Sequence, residues 1–175
     1  MAAKVSVLAV RLDDADTSGA RRLRVLVRND TSAQLHVSGE LSGLSYDPGS
    51  RELSVEFGVP HDGDPGPGIV VVSAHPFVPH QIVLAPGEEG ELGTVVPASL
   101  HQYNRGGGLS SIARPGVEVA AIDQTQVRIA SSPTPFQPPL DLDPKARVRH
   151  MREQAHVDVH RVTPSRPDEP RPDRP

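Results

Sequence analysis

Cysteine is absent from the 175 residues, so neither a disulfide framework nor a thiolate metal site can stabilise this chain. Tryptophan is absent too, and aromatics make up only 3 % of the sequence. That removes most of the stacking surfaces on which sugars and single-stranded nucleic acids are held. Lysine is nearly missing: 16 of the 18 basic residues are arginine, Lys4 and Lys145 being the exceptions, a skew that GC-rich bacterial coding produces. No apolar run approaches the roughly 18 residues of a membrane span. Residues 5–10 are too short for a secretory hydrophobic segment before Arg11, Asp13 and Asp14. These absences give the expectation of a cytoplasmic protein that does not cross a membrane.

The formal net charge is −4, and it is unevenly placed. Residues 41–100 hold eight acids (Asp47, Glu52, Glu56, Asp62, Asp64, Glu88, Glu89, Glu91) against the single base Arg51. An acidic middle with no basic stripe argues against DNA or RNA as a partner.

What is present is period-two alternation. Leu44 to Phe57 reads as a hairpin around Pro48-Gly49, with Leu53, Val55 and Phe57 on one face and Glu52, Ser54 and Glu56 on the other. Here Gly49 is the expected acceptor of a positive φ. Residues 22–28 alternate most cleanly, Leu23, Val25 and Val27 opposing Arg22, Arg24 and Arg28, whose expected partners are sheet acids such as Glu52 and Glu56. Further strands are expected at residues 5–10, 35–41, 69–74, 81–84, 92–96, 117–122 and 126–130. The segment 81–96, an apolar strand, a Pro86-Gly87-Glu88 corner and another strand, resembles bacterial immunoglobulin-like modules. The paired Cys and core Trp of true immunoglobulin domains have no counterpart here.

Ten of the nineteen prolines lie between Pro133 and Pro175, so the composition shifts at residue 131. The reading is a sandwich domain over 1–130, a C-terminal extension over 131–162 and a disordered Pro/Arg/Asp tail over 163–175. Within the extension, Phe136 anchors an extended segment back onto the sandwich. Asp143-Pro144 starts a helix over 144–155, with Val148, Met151 and Ala155 at helical spacing, and a last strand covers 156–162. The fold class is all-β: a two-layer antiparallel β-sandwich, immunoglobulin-like or jelly-roll-like, of about 8–10 short strands plus that helix.

Catalytic motifs fail on inspection. Asp62-Gly63-Asp64 suggests calcium, but an EF-hand loop counted from Asp62 places Gly66, Pro67 and Ser73 where a ligand, a glycine and a glutamate are needed. Gly106 to Gly108 suggest a phosphate loop, yet Leu109 follows instead of Lys. Neither Ser110 nor Ser111 sits in a nucleophile-elbow setting.

One constellation carries a hint of chemistry. His156, Asp158 and His160 share a strand face at i, i+2 and i+4, a set that suits zinc given a further ligand from His36, His61, His75, His80 or His101. In that reading Val157, Val159 and Val162 form the buried face. On the preceding helix, Arg147, Arg149 and Arg152 are candidates for gripping an acidic protein partner. The functional expectation is a non-enzymatic interaction or scaffolding module that binds another protein through sheet edges, acidic loops and the C-terminal extension. The alternatives are a zinc-type metal protein or enzyme using His156, Asp158 and His160, and a small-ligand or carbohydrate binder.

Overall fold

Leu23, Val25 and Val27 are each 0 % exposed, as every-other-residue spacing requires of a strand with one buried face. The computed structural model describes residues 4–59, 78–100 and 116–165. Among these, the strands are β1 Val5–Leu12, β2 Arg21–Asn29, β3 Leu35–Ser38, β4 Leu41–Asp47, β5 Glu52–Phe57, β6 Gln81–Leu84, β7 Glu89–Val96, β8 Ser99–Leu100, β9 Val117–Glu118, β10 Gln124–Ser132 and β11 His156–Val162, with the helix α1 Pro144–Gln154 before β11. The fold is all-β and sandwich-like. The expected strand at 69–74, the loops around Asp62 and Gly106, and the tail beyond residue 165 lie outside the described residues.

One sheet has the order β1-β2-β7. The larger has the order β4-β5-β10-β3-β6, with β11 pairing β10, and a small β8-β9 ladder completes the set. A single core fills the space between the sheets: Val5, Val25 and Leu92 from one side pack with Val55, Phe57 and Ile129 from the other. Burying each such side chain contributes roughly 1.5–3 kcal/mol. One pairing departs from the antiparallel expectation, since β5 runs parallel to β10 from Glu52↔Gln124 to Phe57↔Ile129.

The β4–β5 hairpin forms where the alternation places it, but its turn differs in detail. Asp47 Oδ1 accepts the Gly49 N–H at 2.9 Å and Oδ2 accepts the Ser50 hydroxyl at 2.7 Å. The positive φ then falls on Arg51 (φ 53), not on Gly49. The aspartate folds the first half of the loop, so the left-handed residue is displaced to its end. Between β6 and β7 the Pro-Gly corner behaves as its residues dictate: Gly87 has φ 74 and the Glu88 N–H returns to Ala85 O at 3.0 Å.

The arginines of β2 pair locally. Arg24 meets Asp13 at 2.6 Å and Arg28 meets Asp30 at 2.7 Å, whereas Glu56 faces Arg128 and Glu52 faces Arg161, both at 3.7 Å. The expectation that Glu52 and Glu56 serve β2 is corrected by topology, because β2 and β5 belong to different sheets.

The extension is shaped by a helix cap and held on the body by an apolar cluster and by β11. Asp143 caps α1 by accepting from the Lys145 and Ala146 N–H groups, with Pro144 at the first helical position. Met151 (1 % exposed) then packs with Phe136 (0 %), Val59 and Ala130 in a second apolar cluster on the outside of the larger sheet. β10 itself runs through residue 131, and its register with β11 spans Thr125↔Val162 to Ser131↔His156.

Candidate functional site

β11 is a strand by alternation, but its faces are the reverse of those that hydrophobicity suggests. Asp158 is 6 % exposed, while Val157 and Val159 are 42 % and 50 % exposed. The expectation that Val157 and Val159 form the buried face is therefore overturned, whereas Val162, on the face of Asp158 and His160, is partly buried against the core. The reason lies at the seam where β11 passes beside the start of β1, whose outer N–H and C=O groups need partners. Asp158 Oδ2 accepts the Val5 N–H at 2.9 Å and the Lys4 N–H at 3.1 Å. His160 Nε2–H donates to Val5 O at 2.8 Å. Two side chains thus take the hydrogen-bonding places of a neighbouring strand.

His156 completes the set by donating from Nε2 to Asp158 Oδ1 at 3.1 Å. The three residues do share one face and two of them touch. His156 and His160 are each engaged through Nε2 and Asp158 through both carboxylate oxygens, and among the described residues no group of three or more His, Asp or Glu side chains is arranged to hold a metal ion. His36 lies on β3 and His80 against Gly39, neither within a cluster with His156. A serine stands close by: Ser131 is the cross-strand neighbour of His156. It is 0 % exposed and its hydroxyl lacks a hydrogen-bond partner among the described residues, so no substrate can reach it as a nucleophile.

Just past β11 the chain crosses to the other sheet. Ser165 makes a parallel bridge with Arg11, donating to Val10 O at 2.9 Å and accepting from Leu12 N–H at 3.1 Å. The C-terminal segment consequently ties the two layers together along the outer edge of β1.

The three arginines of α1 are not gathered on one patch. Arg147 donates from Nε to Leu142 O at 2.7 Å and from Nη2 to Leu140 O, fastening the loop before the helix. Arg149 is exposed and adds to the positive field that lowers the Asp143 pKa, after the larger effect of the hydrogen bond from Ala146. Arg152 alone reaches a concavity, a groove of about 190 Å³ that it shares with Arg128, Glu56, Ala155 and Val157. The groove's other walls, Gly58 and Ala130 among them, come from strand ends distant in sequence. Only the register of β5, β10 and β11 assembles them, and no local motif announces it.

A larger cleft of about 350 Å³ lies between Leu12, Arg21, Ile122 and Pro164. Two of its carboxylates are already engaged, Asp13 with Arg24 and Asp123 with Arg51 at 3.0 Å. Comparison with protein-family models and with curated proteins finds no match for this chain. Among the described residues no helix is long and apolar enough to cross a membrane.

Proposed function

We propose that this chain is a non-enzymatic β-sandwich module that binds another protein through its C-terminal extension. The observation that carries the reading is the orientation of β11. A strand that buries its carboxylate and turns Val157 and Val159 outward presents a paired aliphatic surface beside the groove under α1. Exposed aliphatic pairs next to arginine-lined concavities have the composition of interface centres, in which apolar anchors are ringed by polar residues. Sheet edges support the same reading, since β4 pairs only with β5 and β7 only with β2 among the described residues. The acidic turn residues Asp47 and Glu88 lie beside those edges.

The test is recovery of a partner by a tagged full-length chain from native lysate, its identification by mass spectrometry, and binding of that partner by the purified chain. Deleting residues 131–175 would also remove β11 and its hold on β1, so the informative change is Val157→Asp with Val159→Asp. The reading expects the double variant to fold and to lose the partner. Undiminished binding by a folded double variant refutes it.

A further inference from the structure

The groove beside Val157 has a composition that selects its occupant. Its volume, about 190 Å³, is below the roughly 300–1,000 Å³ of small-molecule sites, which suits one inserted side chain better than a free ligand. Small residues leave that space: Ala130 and Ala155 line it, and a Cβ on Gly58 would lie 3.1 Å from Ser42 Oγ and 3.8 Å from Ala130 Cβ. The polar rim is Arg128, Arg152 and Glu56. Arg128 is 45 % exposed and sits a loose 3.7 Å from Glu56, whose side chain is 22 % exposed, so the solvent side of the guanidinium is open to an incoming carboxylate. Arg152 is the one basic residue of α1 that lines the groove, so the rim carries two guanidinium groups against one carboxylate.

Resting on the interaction reading above, we infer that the groove takes an acidic peptide segment of the partner, one aliphatic side chain entering against Val157 and Ala155 while flanking carboxylates face Arg128 and Arg152. A basic segment meets like charge at the rim. A segment without an aliphatic anchor leaves the apolar walls wet.

The probe is the acetylated, amidated pentapeptide Asp-Glu-Leu-Asp-Glu, titrated into the ¹⁵N-labelled full chain. Saturable shifts are expected in the amides of residues 57–59, 130 and 152–157. Arg152→Glu should weaken binding about fivefold, the scale of an exposed ion pair, and Ala155→Phe should abolish it by filling the groove. Circular dichroism on each variant guards against misfolding. Equal binding by Lys-Lys-Leu-Lys-Lys or by Asp-Glu-Gly-Asp-Glu overturns the inference, as do absent shifts or shifts elsewhere. Self-association in sedimentation that Ala155→Phe removes also overturns it, by assigning the groove to a second copy. A natural partner lost with Val159→Asp but kept by Ala155→Phe refutes the groove while leaving the interaction reading in place.

Discussion

Asp158 Oδ2 accepts the backbone N–H of Val5 across 153 positions of sequence, at 2.9 Å and out of water. The first strand is thereby fastened to the last by a side chain, and the same carboxylate holds the Lys4 N–H and the His156 ring.

Replacing Asp158 with alanine leaves two N–H groups at the seam without an acceptor. Hydrogen bonds to a charged group contribute about 1.5–3 kcal/mol, and orphaned donors add to the loss. Asp158→Ala is expected to lower unfolding stability by about 3 kcal/mol. Asp158→Asn, which keeps an acceptor oxygen, should cost less. Urea denaturation at an unchanged m-value measures both. A loss under about 0.5 kcal/mol for the alanine variant would show that the contact is incidental.

The extension is held on the body by Phe136, which is 0 % exposed against Met151, Val59 and Ala130. Phe136→Ala is expected to cost about 3–5 kcal/mol. Leu140, 82 % exposed, supplies the contrast, because Leu140→Ala should change stability by less than about 0.5 kcal/mol. Equal effects from the two substitutions would contradict the packing described.

Much of this architecture was legible in local pattern, and the parts that were not share one cause. Residues 21–29 announce a half-buried strand through Leu23, Val25 and Val27, and Asp143-Pro144 announces a helix start, because both signals are complete within a few residues. The direction of β11 is not local. Alternating Val and polar residues define two faces but not which one turns inward, and the deciding partners, the Lys4 and Val5 N–H groups, lie more than 150 positions away. The partners of Arg24 and Arg28, Asp13 and Asp30, are hidden from local pattern for the same reason, since alternation does not say which strands share a sheet. The positive φ of Arg51 depends on the Asp47 carboxylate folding the turn ahead of it.

Acid should release the helix cap only below the ordinary carboxylate range. The N–H donors of Ala146 and then Lys145 hold the Asp143 carboxyl below its ordinary value of 3.8, with weaker help from Arg149 and Lys145 charges. A folded-state pKa below the unfolded one means that the stabilisation is complete above pH 3.8 and is lost as pH falls through the lower folded value. Asp47, lowered by the Ser50 hydroxyl and then the Gly49 N–H, follows the same sign. Amide shifts of Lys145 and Ala146 should therefore titrate below pH 3.8 in the intact chain and stay flat in Asp143→Asn. A flat profile in the intact chain would remove the cap.

Which face of β11 meets water decides both the inward clamp and the outward docking face, and the absence of native cysteine makes that measurable without background. Single replacements Val157→Cys and Val159→Cys are compared with Val127→Cys, which sits opposite His160 at 0 % exposure. Reaction with a chromogenic disulfide reagent under native conditions should modify Cys at 157 and 159 at close to the rate of the unfolded chain, and Cys at 127 at least about a hundredfold more slowly. Protection of 157 and 159 equal to that of 127 would mean that the valines are buried, and the inward clamp and the outward docking face would both fall.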